Sequence, residues 1–147
     1  MKWKWNNIPL PEVYLLALLL GGAMQILRPK AITSVRRPTQ LGGALNLLAG
    51  LLLGTWSVAV AGDQQLSRPQ VLVTDGPYRF SRNPMYLAWT FISSGLALLL
   101  NSLWMLAALP LAFLYLHFLE IPQAEAGLAA RFGEPYHRSR HTVRRYL

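Results

Sequence analysis

Little that is polar interrupts residues 9–27 or residues 41–61. A helix needs about 20 residues to cross roughly 30 Å of hydrocarbon, and each run approaches that length. Residues 85–100 and 103–119 are shorter and equally apolar. Lipid offers no water to satisfy backbone N–H and C=O groups, so spanning segments of this kind must be helical. The chain has 147 residues, 53% hydrophobic and only 14% charged, about one domain in length. The expected architecture is an all-α integral membrane protein with four transmembrane helices. Residues 1–62 form an N-terminal helix pair. Residues 63–147 supply a polar loop, a helical hairpin and a cytoplasmic helical tail.

The first run has lysines ahead of it, Lys2 and Lys4, as a secretory signal would. Its apolar core is too long for one and no clear small-residue cleavage site follows, so a retained helix is expected. Trp3 and Trp5 alternate with those lysines and suit a membrane-interface anchor. The net charge of +8 is placed for topology rather than for nucleic acid, because the basic residues lie between and after the apolar runs. With four spans both termini share a side. Lys2, Lys4, Arg68, Arg79, Arg82, Arg131, Arg138, Arg140, Arg144 and Arg145 fall there, against Arg28, Lys30, Arg36 and Arg37 on the other. The excess puts both termini in the cytoplasm. Cysteine is absent, which excludes disulfides, iron–sulfur clusters and a thiol nucleophile.

Arg28-Pro29 ends the first helix, since proline cannot continue one, and a basic loop is expected as far as Pro38. Gly50 and Gly54 form a small-residue pattern that permits close helix contact, read here as packing between the first two helices. Residues 63–81 are the one long polar connection. Within it Val71, Leu72 and Val73 read as a short extended piece, and Gly76-Pro77 as a turn. Asn83 is positioned to N-cap the third helix and Pro84 to occupy its first turn. Asn101-Ser102 joins the third and fourth helices into a tight hairpin, and Pro110 is expected to kink the fourth. After Glu120 the composition changes. Residues 124–132 read as a short helix closed by Gly133, and Pro135 as a break before a basic segment.

The polar loop and the tail fall on one side, where they can meet over the open end of the hairpin. That meeting place would hold Tyr78, Arg79, Arg82, Asn83, Tyr86, Glu120 and Glu125. Together with the free amides at the start of the third helix, this set suits a zwitterionic ligand, with its carboxylate at the helix start and its ammonium near an acid. The plainer reading is that the arginines are topology determinants, Asn-Pro an ordinary helix start and the tyrosines interfacial residues. Glu120 ends an apolar helix, where an acid needs hydration or a partner; Arg79 and Arg82 are the candidates. His117 is read as an interfacial or hydrogen-bonded histidine. His137 and His141 share a helical spacing, but no third ligand is placed to complete a zinc site, so no metal is expected. No P-loop, dinucleotide glycine pattern or serine nucleophile motif is present.

The stretch LVTDGPYRFSRNPMYLA, two apolar helices and then PQAEAGLAARFGEPYHRSRHTVRR together resemble the membrane methyltransferases typified by isoprenylcysteine carboxyl methyltransferase and the phospholipid methyltransferases. The likeness covers residues 72–145, in order and spacing. It implies S-adenosylmethionine as cofactor, enclosed on the cytoplasmic side by the loop, the helix start and the tail helix, with a lipophilic acceptor arriving from the bilayer. Leu72, Val73, Tyr78, Pro84 and Tyr86 would contact the cofactor, with Asn83 in the place of the usual histidine. Glu125 is what remains of an acidic pair whose first member is here Ala124. Glu120, one turn earlier on the same face, would substitute for that acid, and Arg82 and Glu120 are the candidate catalytic residues. Glu120 also stands where carboxyl methyltransferases carry an arginine, and an acid there would repel a carboxylate acceptor. Ser139 replaces the second tyrosine of the tail pattern. Methyl transfer from a sulfonium needs positioning and exclusion of water rather than a metal or covalent intermediate. Two other classes stand beside this reading: an NADPH-dependent membrane reductase on a related scaffold, and a non-catalytic membrane protein that kept the fold.

Overall fold

The computed structural model describes residues 11–62 and 70–146. The proposed tryptophan anchor, Arg68 and the first part of the polar connection, residues 63–69, lie outside them. Regular structure among the described residues is helical, apart from one isolated bridge between Ala31 and Ser102. The order is α1 (Glu12–Leu27), α2 (Arg36–Ala61), a 3₁₀ turn (Gly76–Arg79), α3 (Pro84–Leu99), α4 (Leu103–Tyr115), a π turn (Leu116–Glu120), α5 (Ile121–Phe132) and α6 (Glu134–Thr142).

Two helices are long and apolar enough to cross a membrane: Arg36–Ala61, and the continuous helix Leu103–Phe132. The apolar helices α1 and α3 have 16 residues each, about 24 Å at 1.5 Å per residue. Large aliphatic side chains line the outer surface. Leu19 is 71% exposed, Leu45 68% and Leu111 71%, a surface made for lipid rather than water.

Three expected boundaries are corrected. Arg36, Arg37 and Pro38 belong to the first turn of α2 and not to a loop, since proline in a first turn costs no hydrogen bond. The tail helix does not begin at Ala124. It continues α4 through the π turn, because Pro122 has no N–H to return to the preceding turn and the ladder adjusts locally instead of ending. The break in the tail falls at Gly133, with φ at 55°, and Pro135 sits in the first turn of α6.

Helix pairing also differs from expectation. Gly50 does not face α1. A Cβ placed there would lie 2.7 Å from Ile92 N and 2.8 Å from Ala88 O, both on α3. Gly43 and Gly95 meet across the same α2–α3 seam, while Gly21 sets α1 against Met105 of α4. The core of Tyr14, Ala17, Ala97, Met105, Leu109, Ala112, Leu116 and Ile121 lies among α1, α3 and α4 and runs on through the π turn to the start of α5. So α1 and α2 flank the hairpin on opposite sides.

The reason is the route of the 28–35 loop, which crosses the α3–α4 turn. Leu103 N donates to Lys30 O at 2.9 Å and Ile32 N to Asn101 O at 3.3 Å. The Asn101 side chain accepts from Ile32 N and Thr33 N and donates to Thr33 O. Asn101 also holds φ at 49°, a left-handed conformation that asparagine tolerates better than most residues. Asn101→Ala is therefore expected to destabilise the fold by about 1–2 kcal/mol, since it leaves the part-buried Thr33 N–H and C=O without their partner and removes the residue suited to that turn. Thermal unfolding in detergent reads this directly, and a loss under half a kcal/mol would contradict the clamp.

Candidate active site

At the end opposite that clamp, the approach to α3 and the chain's last residues are tied together. Arg82 N donates to Arg144 O at 2.9 Å. Ser81 Oγ and Asn83 Nδ2 both donate to Arg145 O, at 3.3 and 3.2 Å. Asn83 stands at the N-cap position, but its side chain makes no capping bond. This corrects the expected cap: the amide holds the tail, and Asn83 N donates to Ser81 Oγ instead. The loop before α3 and the segment after α6 therefore meet on one side, as the sequence suggested.

Beneath the strap lies an ionic triad built around a buried acid. Glu125, 6% exposed, pairs with Arg82 at 3.3 Å and with Arg145 at 2.9 Å. Arg145 contributes two donors, Nε and Nη2, to the two carboxylate oxygens, the forked geometry that makes such pairs strong. Glu120 was expected to take Arg79 or Arg82. It accepts instead from Tyr86 Oη at 3.2 Å, because Arg82 is drawn one turn further along α5.

One carboxylate between two guanidiniums leaves the triad one positive charge in excess. Its donors are not all used. Arg82 Nε and Nη1 and the hydroxyls of Tyr78 and Tyr136 are buried without a well-aligned hydrogen bond among the described residues, although the Arg82 guanidinium lies close enough to act on the Tyr136 hydroxyl. Arg82 Nη1 lies within ion-pair distance of Glu125 without the direction of a hydrogen bond. Burial pushes the Tyr136 hydroxyl pKa up and the Glu125 charge adds to this, while Arg82 and Arg140 pull it back. Burial alone drives the Tyr78 pKa far above the ordinary tyrosine value. Both phenols are held as neutral donors.

A second polar layer lies deeper, across the ends of α1, α3 and α4. Tyr14 Oη and Thr90 Oγ1 are 2.7 Å apart, and Thr90 Oγ1 donates to Tyr86 O. His117 Nδ1 and Tyr146 Oη are 2.6 Å apart, with Phe113 packed against both rings. His117 thus has the hydrogen-bonded role expected of it. Glu120 and His117 both lie on the π turn, a helix irregularity often found at functional sites.

Of the residues singled out from sequence, Arg82, Asn83, Pro84 and Glu125 come together at the triad, and Tyr86 with Glu120 in the layer beneath. Tyr78 is half-buried in the 3₁₀ turn beside buried Pro77, with its hydroxyl enclosed. Leu72 and Val73 are half-buried in the approach to that turn. Arg145, Tyr136 and Tyr146 were missed. The signal was a buried-side acid facing a basic tail: once Glu125 points inward, some tail arginine must follow it. His137 and His141 are exposed on α6, and no three potential metal ligands cluster among the described residues.

The profile of the phospholipid methyltransferase family matches residues 39–126, well over half of the chain. The chain belongs to that family. The phospholipid methyltransferase match begins in the first turn of α2 and ends in α5, so it includes Arg82, Tyr86, Glu120 and Glu125 but stops short of α6 and the strap. No curated protein and no solved structure gives a match to the chain. Two features of the site could meet charged groups of opposite sign. The excess positive charge and unpartnered donors of Arg82 and Tyr136 suit a carboxylate, and the Glu120–Tyr86 pair suits a cationic neighbour.

Proposed function

We propose that this chain is an S-adenosylmethionine-dependent methyltransferase acting on a lipophilic, membrane-resident acceptor. In this reading α1 to α4 all cross the bilayer, and the triad and both termini face the cytoplasm. The observation that carries it is the buried, positively charged cluster at the mouth of α3, with donors left over. Arg82 has a side chain only 12% exposed, and burying a charge that is not fully compensated is costly, which supports an anion as its further partner. Arg82 and Tyr136 would hold the carboxylate of the cofactor. Tyr78, Pro84 and the half-buried Leu72 and Val73 would wall its less polar parts. When bound, the cofactor supplies an electrophilic methyl group on a sulfonium.

The chain's own residues would do the rest. The strap at Arg144 to Tyr146 closes the site against water, and the clamp on Asn83 fixes the start of α3. Glu120, oriented by Tyr86, would accept the proton that an amine acceptor must lose before it attacks. The same acid would repel a carboxylate, which favours an amine lipid over a prenyl-type carboxylate. One observation favours a second reading, a non-catalytic protein that kept the fold. Ala124 stands where an acid is expected, and Glu125 is fully engaged by two arginines.

Calorimetry of the full chain in detergent or lipid nanodiscs separates the two. Binding of S-adenosylmethionine or its demethylated product supports the enzyme; folded protein that binds neither supports the alternative. Tyr86→Phe, which takes the donor from Glu120, is expected to weaken binding or turnover about tenfold. His137→Ala, on the exposed face of α6, should change neither, and equal effects would dissolve the site. Transfer of labelled methyl to a lipid extract identifies the acceptor, because methyl esters release methanol in base and methylated amines do not.

A further inference from the structure

Residues 143–146, after α6, form no regular element. Val143 is extended, with φ at −113° and ψ at 131°. Beyond it Arg144 O accepts from Arg82 N at 2.9 Å, and Arg145 O accepts from Ser81 Oγ and Asn83 Nδ2. The Arg145 side chain forks onto Glu125, and Tyr146 Oη lies 2.6 Å from His117 Nδ1. Underneath, Ser81 is 2% exposed. The strap thus takes up three donors at the mouth of α3 and one side of its acid. The two arginines on that acid are not equivalent. Arg82 has a side chain 12% exposed, Arg145 one 29% exposed. Withdrawing Arg145 moves a partly hydrated guanidinium into water and leaves Glu125 and Arg82 as a neutral pair. Withdrawing Arg82 would require the α3 mouth itself to open. The weaker side of the triad is therefore the side that carries the strap.

We propose that the strap is a gate: it opens locally when Arg145 releases Glu125, and it uncovers Arg82 N, Ser81 Oγ, Asn83 Nδ2 and the Glu125 carboxylate. The conformation described here is the closed one. A short segment without helical bonds of its own opens at a fraction of the free energy of global unfolding, so the helices stay in place while the strap lifts. In the closed state the Arg144 and Arg145 carbonyls fill the donors of the α3 mouth, and the Arg145 guanidinium fills the acid beside them. A ligand with an acceptor group and a cation would need those same partners, which makes the contact autoinhibitory until the strap moves. The opening is read from the strap's own bonds; only the identity of what enters rests on the methyl-transfer reading.

Hydrogen exchange of the full chain in detergent micelles, resolved to single amides by NMR, tests the gate without any ligand. In the wild type the Arg82 N–H should be protected, yet exchange roughly a hundredfold faster than the core amide of Ala97 after correction for intrinsic rates. Arg145→Gln should raise the Arg82 rate about tenfold, the effect of losing a hydrogen bond between charged groups. Arg144→Gln, which removes an exposed charge from the same strap, should leave it unchanged. The chain has no cysteine, so Ser81→Cys places a single thiol under the strap. N-ethylmaleimide should modify it slowly, and about tenfold faster when Arg145→Gln is added. An Arg82 amide exchanging no faster than that of Ala97 opens only with the whole fold, and one exchanging at its intrinsic rate is never closed; either overturns the proposal. So does an Arg82 rate that Arg145→Gln leaves unmoved in folded protein. The wild-type comparison decides even if a variant does not fold. Surface plasmon resonance with S-adenosylmethionine then reads passage: Arg145→Gln should quicken association and dissociation together. Binding at unaltered rates overturns the gate, whereas protein that binds none counts against the methyl-transfer reading and leaves the strap to the exchange result.

Discussion

Glu125→Ala is expected to destabilise the protein by about 3–5 kcal/mol, the loss typical when one partner of a buried ion pair is removed. Glu125 is the sole acid in the triad, so its removal leaves Arg82 and Arg145 facing one another without a counter-charge. Arg82 has a side chain only 12% exposed and cannot reach water without opening the α3 mouth. The strap would be released as well, because the forked pair to Arg145 anchors the tail whose carbonyls hold Ser81 and Asn83. Thermal unfolding in detergent, followed by circular dichroism, measures the loss. Glu125→Ala combined with Arg145→Ala should recover part of it, because one of the stranded charges is then gone. If Glu125→Ala alone costs less than about 1 kcal/mol, the figure for an exposed pair, the triad does not hold the site together.

The second large effect lies on the α2–α3 seam. Gly50→Leu is expected to cost about 3 kcal/mol or more, at and beyond the upper end for overpacked cores. The first carbon of the new side chain would sit 2.7 Å from Ile92 N and 2.8 Å from Ala88 O. These are backbone atoms, and no rotamer change moves them out of the way. The two helices would have to separate along their length, losing the close contacts that hold helices together in lipid. Gly42→Ala is the matched comparison. It lies on the same helix with nothing within 4 Å, and should be neutral or stabilising by up to about 1 kcal/mol through helix propensity. Loss of folded protein on size-exclusion chromatography and in thermal melts is the measurement. Equal behaviour of the two variants would mean that the seam is not a close contact.

Both effects mark the border between what could be read along the chain and what could not. The helices announce themselves, because an apolar run of this length has few other folds open to it. The LVTDGPYRFSRNPMY stretch was conspicuous for the opposite reason: turn, charge and proline crowd a place where helix alone would need none of them. Pairing is another matter. Gly50 and Gly54 say that some backbone comes close, not whose. The answer came from the 28–35 loop crossing over Asn101, a contact 68 or 69 residues apart in sequence with no local signature. Asn83 shows the same limit, since its spacing fits a cap and its amide is used to hold Arg145 O.

The residues in order determined that this chain is helical, apolar on the outside and furnished with a polar mouth at its third helix, because hydrophobicity, proline and glycine act locally. Only the tertiary structure decided which acid met which arginine, which helix each glycine faced and that the last residues return to close the site. Those choices depend on distances between segments far apart in sequence, where charge and close packing discriminate by a few ångströms and periodicity says nothing.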